Sequence, residues 1–180
     1  MKKKMLAWFL IALLLLSSGC RKATLEDYKL FRSTPLGISV EYPDYWEKTQ
    51  DNKNGIVAFV TPTEGYADDY LDNVSVQRFV LDMEGETAYN DYVKGYVSNL
   101  ESTLANYNLV SETETTLGGE EAYQIVYESS SDDGADELRV MQLFAQHGGR
   151  VYVVTFVAEF SAYTYFLTNV EQMLSTFTFI

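Results

Sequence analysis

The chain has 180 residues, with 13 Lys and Arg against 26 Asp and Glu, a formal net charge of −13, and 47% hydrophobic residues. This acidity argues against a nucleic-acid partner, whose phosphates it repels, and the hydrophobic content excludes a disordered chain. A single cysteine forbids an intramolecular disulfide, and with only one histidine beside it there is little for a transition-metal site or a Ser–His or Cys–His nucleophilic pair.

The N-terminus opens MKKK, continues with the apolar run MLAWFLIALLLL, and turns small and polar at Ser17, Ser18 and Gly19, which is the layout of a secretory signal. A permanent span needs roughly 20 apolar residues, so this run is too short for one. Cys20 follows where a bacterial lipobox has its cysteine, although Leu16 stands four residues before it rather than three. A free thiol on an exported protein is a reactive liability. Cys20 is therefore read as the residue that takes a diacylglycerol, ahead of an ordinary secreted protein with an incidental thiol. The expected organisation is a lipoprotein signal peptide over 1–19, the lipidated Cys20 with a short tether over 20–27, and one domain over 28–180, held outside the cytoplasm on the cell membrane. The tether 21–27 spans about 25 Å at ~3.5 Å per residue, which keeps the domain near the bilayer. Loss of residues 1–19 removes three lysines and no acid and takes the formal charge from −13 to −16. That charge bears first on solubility, and otherwise favours divalent cations or basic partners.

From Tyr28 onward the pattern is one of short strands. GISVEYP alternates Ile38, Val40 and Tyr42 against polar neighbours, and DYWEKTQ predicts a turn and a strand carrying Trp46. DNKNG signals a turn into IVAFVTP, apolar on both faces and so expected at the centre of a sheet. NVSVQRFVL alternates again, with Val74, Val76 and Val80 on one face. After Gly85 the period changes: Tyr89, Tyr92, Val93, Tyr96, Val97, Leu100 and Leu104 form one helical stripe, with Thr87 as the expected N-cap. Four strands joined by GG, SSDDGAD and HGG turns follow, and a second helix carries Tyr163, Phe166, Leu167, Val170, Met173, Leu174 and Phe177 behind a Ser161 cap. This order is not alternating βαβ, so the predicted class is α+β: an α-β-α sandwich, a largely antiparallel sheet flanked by two amphipathic helices.

GISVEYPDYWEK resembles the opening of PsbP-like domains. NVSV, the helix with DYV, VSETETTLGGEEAYQIVYE, QLFAQHGGRVYVVTFVA and the STFTF ending then follow in that family's order, over about residues 28–180. The resemblance implies a Mog/PsbP-like fold, also seen in DcrB-type periplasmic lipoproteins, and a non-catalytic binding or assembly module. Photosynthetic members stabilise the manganese–calcium cluster of photosystem II from the lumenal side. This chain departs from them in being acidic where they resemble a basic docking subunit.

No GxSxG, P-loop, HExxH or SxxK motif is present. His147, in QHGGR between two strands, is read as a turn residue. Two acidic clusters remain. SSDDGADE, with Asp132, Asp133, Asp136 and Glu137, reads as a solvated hairpin turn. TEGYADDYLDN, with Tyr66, Asp68, Asp69, Tyr70 and Asp72, is longer than a hairpin needs and is the candidate partner or metal loop. Hard oxygen ligands there suit Ca²⁺, although neither cluster has EF-hand spacing. The function expected is a lipid-anchored extracytoplasmic binding or assembly-support module without catalysis or a required cofactor, with an unidentified protein partner and the membrane as its contacts. A low-affinity calcium-binding protein is the alternative, and a carboxylate-pair hydrolase stands third.

Overall fold

The computed structural model of the chain describes residues 27–63, 71–81, 86–130 and 137–180. The predicted signal peptide, Cys20 and most of the tether lie outside them. Strands β1 (Tyr28–Ser33) and β2 (Ile38–Pro43) form a hairpin, followed by β3 (Glu47–Asp51), β4 (Ile56–Val60) and β5 (Asn73–Val80). Helix α1 (Glu86–Thr103) then leads to a meander of β6 (Asn108–Leu117), β7 (Glu120–Ser130), β8 (Glu137–His147) and β9 (Arg150–Glu159). Helix α2 (Phe160–Thr176) and the two-residue β10 (Thr178–Phe179) close the chain.

All the strand pairs are antiparallel. They build a seven-stranded sheet in the order β3-β4-β5-β9-β8-β7-β6 and a three-stranded sheet β1-β2-β10. Period-two alternation decides what each face meets. On β9, Val151 and Val153 join the core under α1, while Tyr152, Val154, Phe156 and Ala158 join the core under α2 and the small sheet. The two helices thus cover opposite faces, as the α-β-α reading expects. Phe59, Phe144, Phe156 and Phe166 are fully buried, each contributing about 1.5–3 kcal/mol relative to an exposed ring.

Both helical stripes face the cores. Val93 is buried beneath α1, with Tyr89, Tyr92, Tyr96, Val97, Leu100 and Leu104 packed around it. The α2 stripe packs from Tyr163 to Phe177.

Four expectations need correction. The strand IVAFVTP is not central: β4 is second from the edge, and β9, buried on both faces, holds the middle. Val57 and Phe59 of β4 are covered by the small sheet, where Phe31 and Tyr42 pack on Phe59, while its other face is only half-buried. Val80 has the parity of Val74 and Val76 but is 73% exposed, because β5 runs past the cover. Neither expected cap is one: Thr87 lies inside α1, whose first residue is Glu86, and Ser161 lies inside α2, whose N-cap position is Glu159 with no side-chain cap. The closing STFTF segment is also more than a helix end. Its Thr178 and Phe179 pair with Ser39 and Ile38, adding a strand and creating the second sheet.

Candidate functional site

The turn from β2 to β3 places two neighbouring aromatics oppositely. The backbone N–H of Trp46 donates to the Pro43 carbonyl (3.1 Å), and the indole lies inward, edge-on to Phe166 at 5.8 Å. Tyr45 is left 46% exposed. Beyond β4 the chain is clasped at its exit and return. Thr61 N–H and Oγ1 both donate to the Asp72 carbonyl, at 2.9 and 3.1 Å. The Asp72 carboxylate accepts the N–H of Glu159, immediately before α2, at 2.9 Å. This clasp ties Thr61 and Asp72 to the start of α2.

Between these elements lies an open cleft of about 470 Å³, edged by Tyr45, Pro62, Thr63, Ser161 and Tyr165 over Ala162 and Phe166. Tyr165 is 61% exposed and stands off the apolar stripe of α2. Burial raises the Tyr45 phenol above its ordinary value, with smaller upward pushes from Tyr165 and Asp27. Tyr28, which accepts a hydrogen bond from Asn169 Nδ2 (3.0 Å), is likewise raised chiefly by burial. The protonated phenol of Tyr45 at this rim is a hydrogen-bonding group with an apolar body, a combination suited to macromolecular contact.

Of the sequence candidates, Cys20, Tyr66, Asp68, Asp69 and Tyr70 lie outside the described residues. Asp72 is described and is turned inward, 4% exposed, as the clasp. Thr63, where the candidate loop begins, lines the cleft. Sequence reasoning missed Tyr45 and Tyr165. A usable signal existed: each is an aromatic at a position that the local pattern reserves for solvent.

The second acidic cluster lies mostly outside the described residues. Glu137 borders a smaller polar cleft of about 370 Å³ with Asn106, Asn108 and Glu128. The hydrogen bond from Arg139, 2.5 Å from Glu128, holds that carboxyl below the usual carboxylate range. The Arg139 guanidinium also lies 4.5 Å over the Phe160 ring. His147 ends β8 beside the turn glycines; it stacks on Phe179 at 4.4 Å and meets Glu120 at 2.8 Å. Among the described residues no three His, Cys, Asp or Glu side chains gather to hold a metal ion. Among the same residues no helix is long and apolar enough to cross a membrane.

The protein family described as PsbP-like protein matches residues 21–179. No curated protein matches the chain. Solved structures show the same fold at low identity. Cyanobacterial PsbP (CyanoP) of Synechocystis sp. PCC 6803 is 14% identical with a TM-score of 0.58, over 91% of this chain and 99% of that one. LpqN, involved in cell envelope biogenesis of Mycobacterium tuberculosis, is 14% identical with a TM-score of 0.58, over 84% and 89%. The Ran-binding protein Mog1p of Saccharomyces cerevisiae is 9% identical with a TM-score of 0.55, over 84% and 95%.

Proposed function

From the premise that this chain belongs to the PsbP-like protein family, we propose that it is a lipid-anchored, extracytoplasmic, non-catalytic module that binds or supports the assembly of a protein partner. Cys20 is its anchor, and the cleft at the start of α2, together with Tyr66, Asp68, Asp69 and Tyr70, is its contact surface. The observation that carries this reading is the chemistry of the cleft. Its described lining has tyrosine, serine and threonine hydroxyls over apolar side chains, without a carboxylate, imidazole or amine. Such a surface suits contact better than proton transfer near neutral pH, where a phenol such as Tyr45, raised further by burial, stays protonated. LpqN is described as an envelope-biogenesis protein, which accords with a place in the cell envelope.

The test is crosslinking and capture from membranes with the anchored protein as bait, comparing wild type with Tyr45→Ala/Tyr165→Ala. Both side chains are exposed, so the double variant is expected to melt within a few degrees of wild type and to lose the captured partner. Undiminished capture rejects the cleft. A second pair, Tyr66→Ala/Tyr70→Ala, asks the same of the adjoining segment.

A further inference from the structure

Among the described residues, strand β6 ends the seven-stranded sheet and pairs on one side only, with β7. It is 10 residues long, and everything from Asn108 to Glu114 is exposed. The strand at the opposite edge, β3, has only 5 residues. An antiparallel edge strand points about half of its N–H and C=O groups away from its neighbour, which makes it a template for a further strand. A register shift between Leu109 and Ser111 leaves Val110 outside the pairing, 47% exposed beside the 38% exposed Leu109.

The charge around this edge has one sign. No Lys or Arg occurs between Lys94 and Arg139, and the described arginine that closes this interval is engaged by Glu128. Glu112 and Glu114 stand opposite Ile125 and Tyr123, two core-forming residues on the α1 side, so both glutamates project to that one face of β6. The Tyr123 hydroxyl donates to Glu112 at 2.5 Å, and Glu114 is exposed. Antiparallel pairing of β6 with a second copy of itself in the register centred on Thr113 sets Glu112 against Glu114, and like charges directly opposite are destabilising. A strand with Lys or Arg at alternate positions meets both acids on the same face.

We propose that β6 is a strand-addition site for an extended, basic segment of a protein partner, with Lys or Arg at every second position opposite Glu112 and Glu114 and an apolar residue against Leu109 and Val110. This surface is separate from the cleft at α2.

The test uses the full chain and a synthetic peptide of the length of β6, alternating Lys with Thr and ending in Val, at physiological salt. Hydrogen exchange is expected to slow at β6 amides on peptide addition. N-methylation of alternate peptide amides, which keeps the charge and removes the ladder, is expected to abolish binding. Glu114→Lys is expected to weaken binding about tenfold. Glu112→Lys/Glu114→Lys should transfer the preference to a Glu-containing peptide of the same pattern, with melting curves checking that both variants fold. Equal binding of the N-methylated peptide means bare charge attraction and overturns the proposal. So does protection that bypasses β6, or a concentration-dependent dimer of the free chain that protects β6 without peptide. Tyr45→Ala/Tyr165→Ala leaves peptide binding unchanged if the two surfaces are independent, so failure at the cleft and failure at this edge are distinguishable.

Discussion

Asp72 shows how far a residue's chemistry depends on what faces it. In the sequence it is one more acid in TEGYADDYLDN. In the fold it is 4% exposed, with its carboxylate on the Glu159 N–H and its carbonyl on Thr61. Removing a buried acceptor leaves its donor unsatisfied, which costs about 1–3 kcal/mol. Asp72→Ala is therefore expected to lower stability by that amount in urea denaturation. Asp72→Asn, which keeps an acceptor oxygen, should lose clearly less. Equal losses would mean that the carboxylate charge rather than the acceptor matters.

At the scale of elements, the two helices are docked by different chemistry. Helix α2 presents buried Phe166, Val170 and Met173, whereas α1 presents mainly half-buried tyrosines. Phe166→Asp puts an unpaired charge into a dry core and is expected to cost several kcal/mol or prevent folding. Leu100→Asp, on a half-buried position of α1, should cost less because its carboxylate can reach water. Thermal melts of the two variants give the order directly. The tyrosine side carries a pH signature instead. Burial, with Tyr96 nearby, pushes the Tyr92 phenol up to about 12, and burial with the Glu112 contact pushes Tyr123 up to about 12. Each phenol stays protonated in the fold while the unfolded chain ionises near pH 10. Their contribution is thus complete below about pH 10 and is lost as the pH rises from there toward about 12. Urea midpoints should fall over that window, and Tyr92→Phe should fall less steeply. Identical slopes for the variant and wild type would remove Tyr92 from the account.

For the whole molecule, the C-terminus decides how the two sheets hold together. Phe179 pairs with Ile38 in the small sheet, stacks on His147 and packs at the β6–β7 turn. Gly118 in that turn has φ +58, and a Cβ there would stand 2.9 Å from the Phe179 ring, so the turn admits only glycine in this arrangement. The same end-to-end scale governs placement in the cell. If Cys20 is the anchor, Cys20→Ser expressed in a bacterial host is expected to move the protein from the membrane fraction to a soluble or uncleaved form. Unchanged partitioning, with no lipid mass on Cys20, would remove the anchor from the proposed function.

Much of the architecture was legible because burial imprints period. The strands from GISVEYP to RVYVVTFVA and the stripes of both helices follow directly from which side chains avoid water. The order of strands and helices also settled the class, since it excludes a parallel doubly wound sheet. What a linear pattern does not carry is which strand lies beside which. IVAFVTP and RVYVVTFVA look alike as apolar runs, yet of the two only β9 has both faces covered, while β4 is half-buried on one. Partners distant in sequence stayed hidden for the same reason: Asp72 meets Glu159 across 87 residues, and Thr178 meets Ser39 across 139. The Tyr45–Tyr165 cleft and the open β6 edge likewise exist only once these contacts are made. A surface is the part of the chain that packing leaves over, and which residues those are is decided by the tertiary fold.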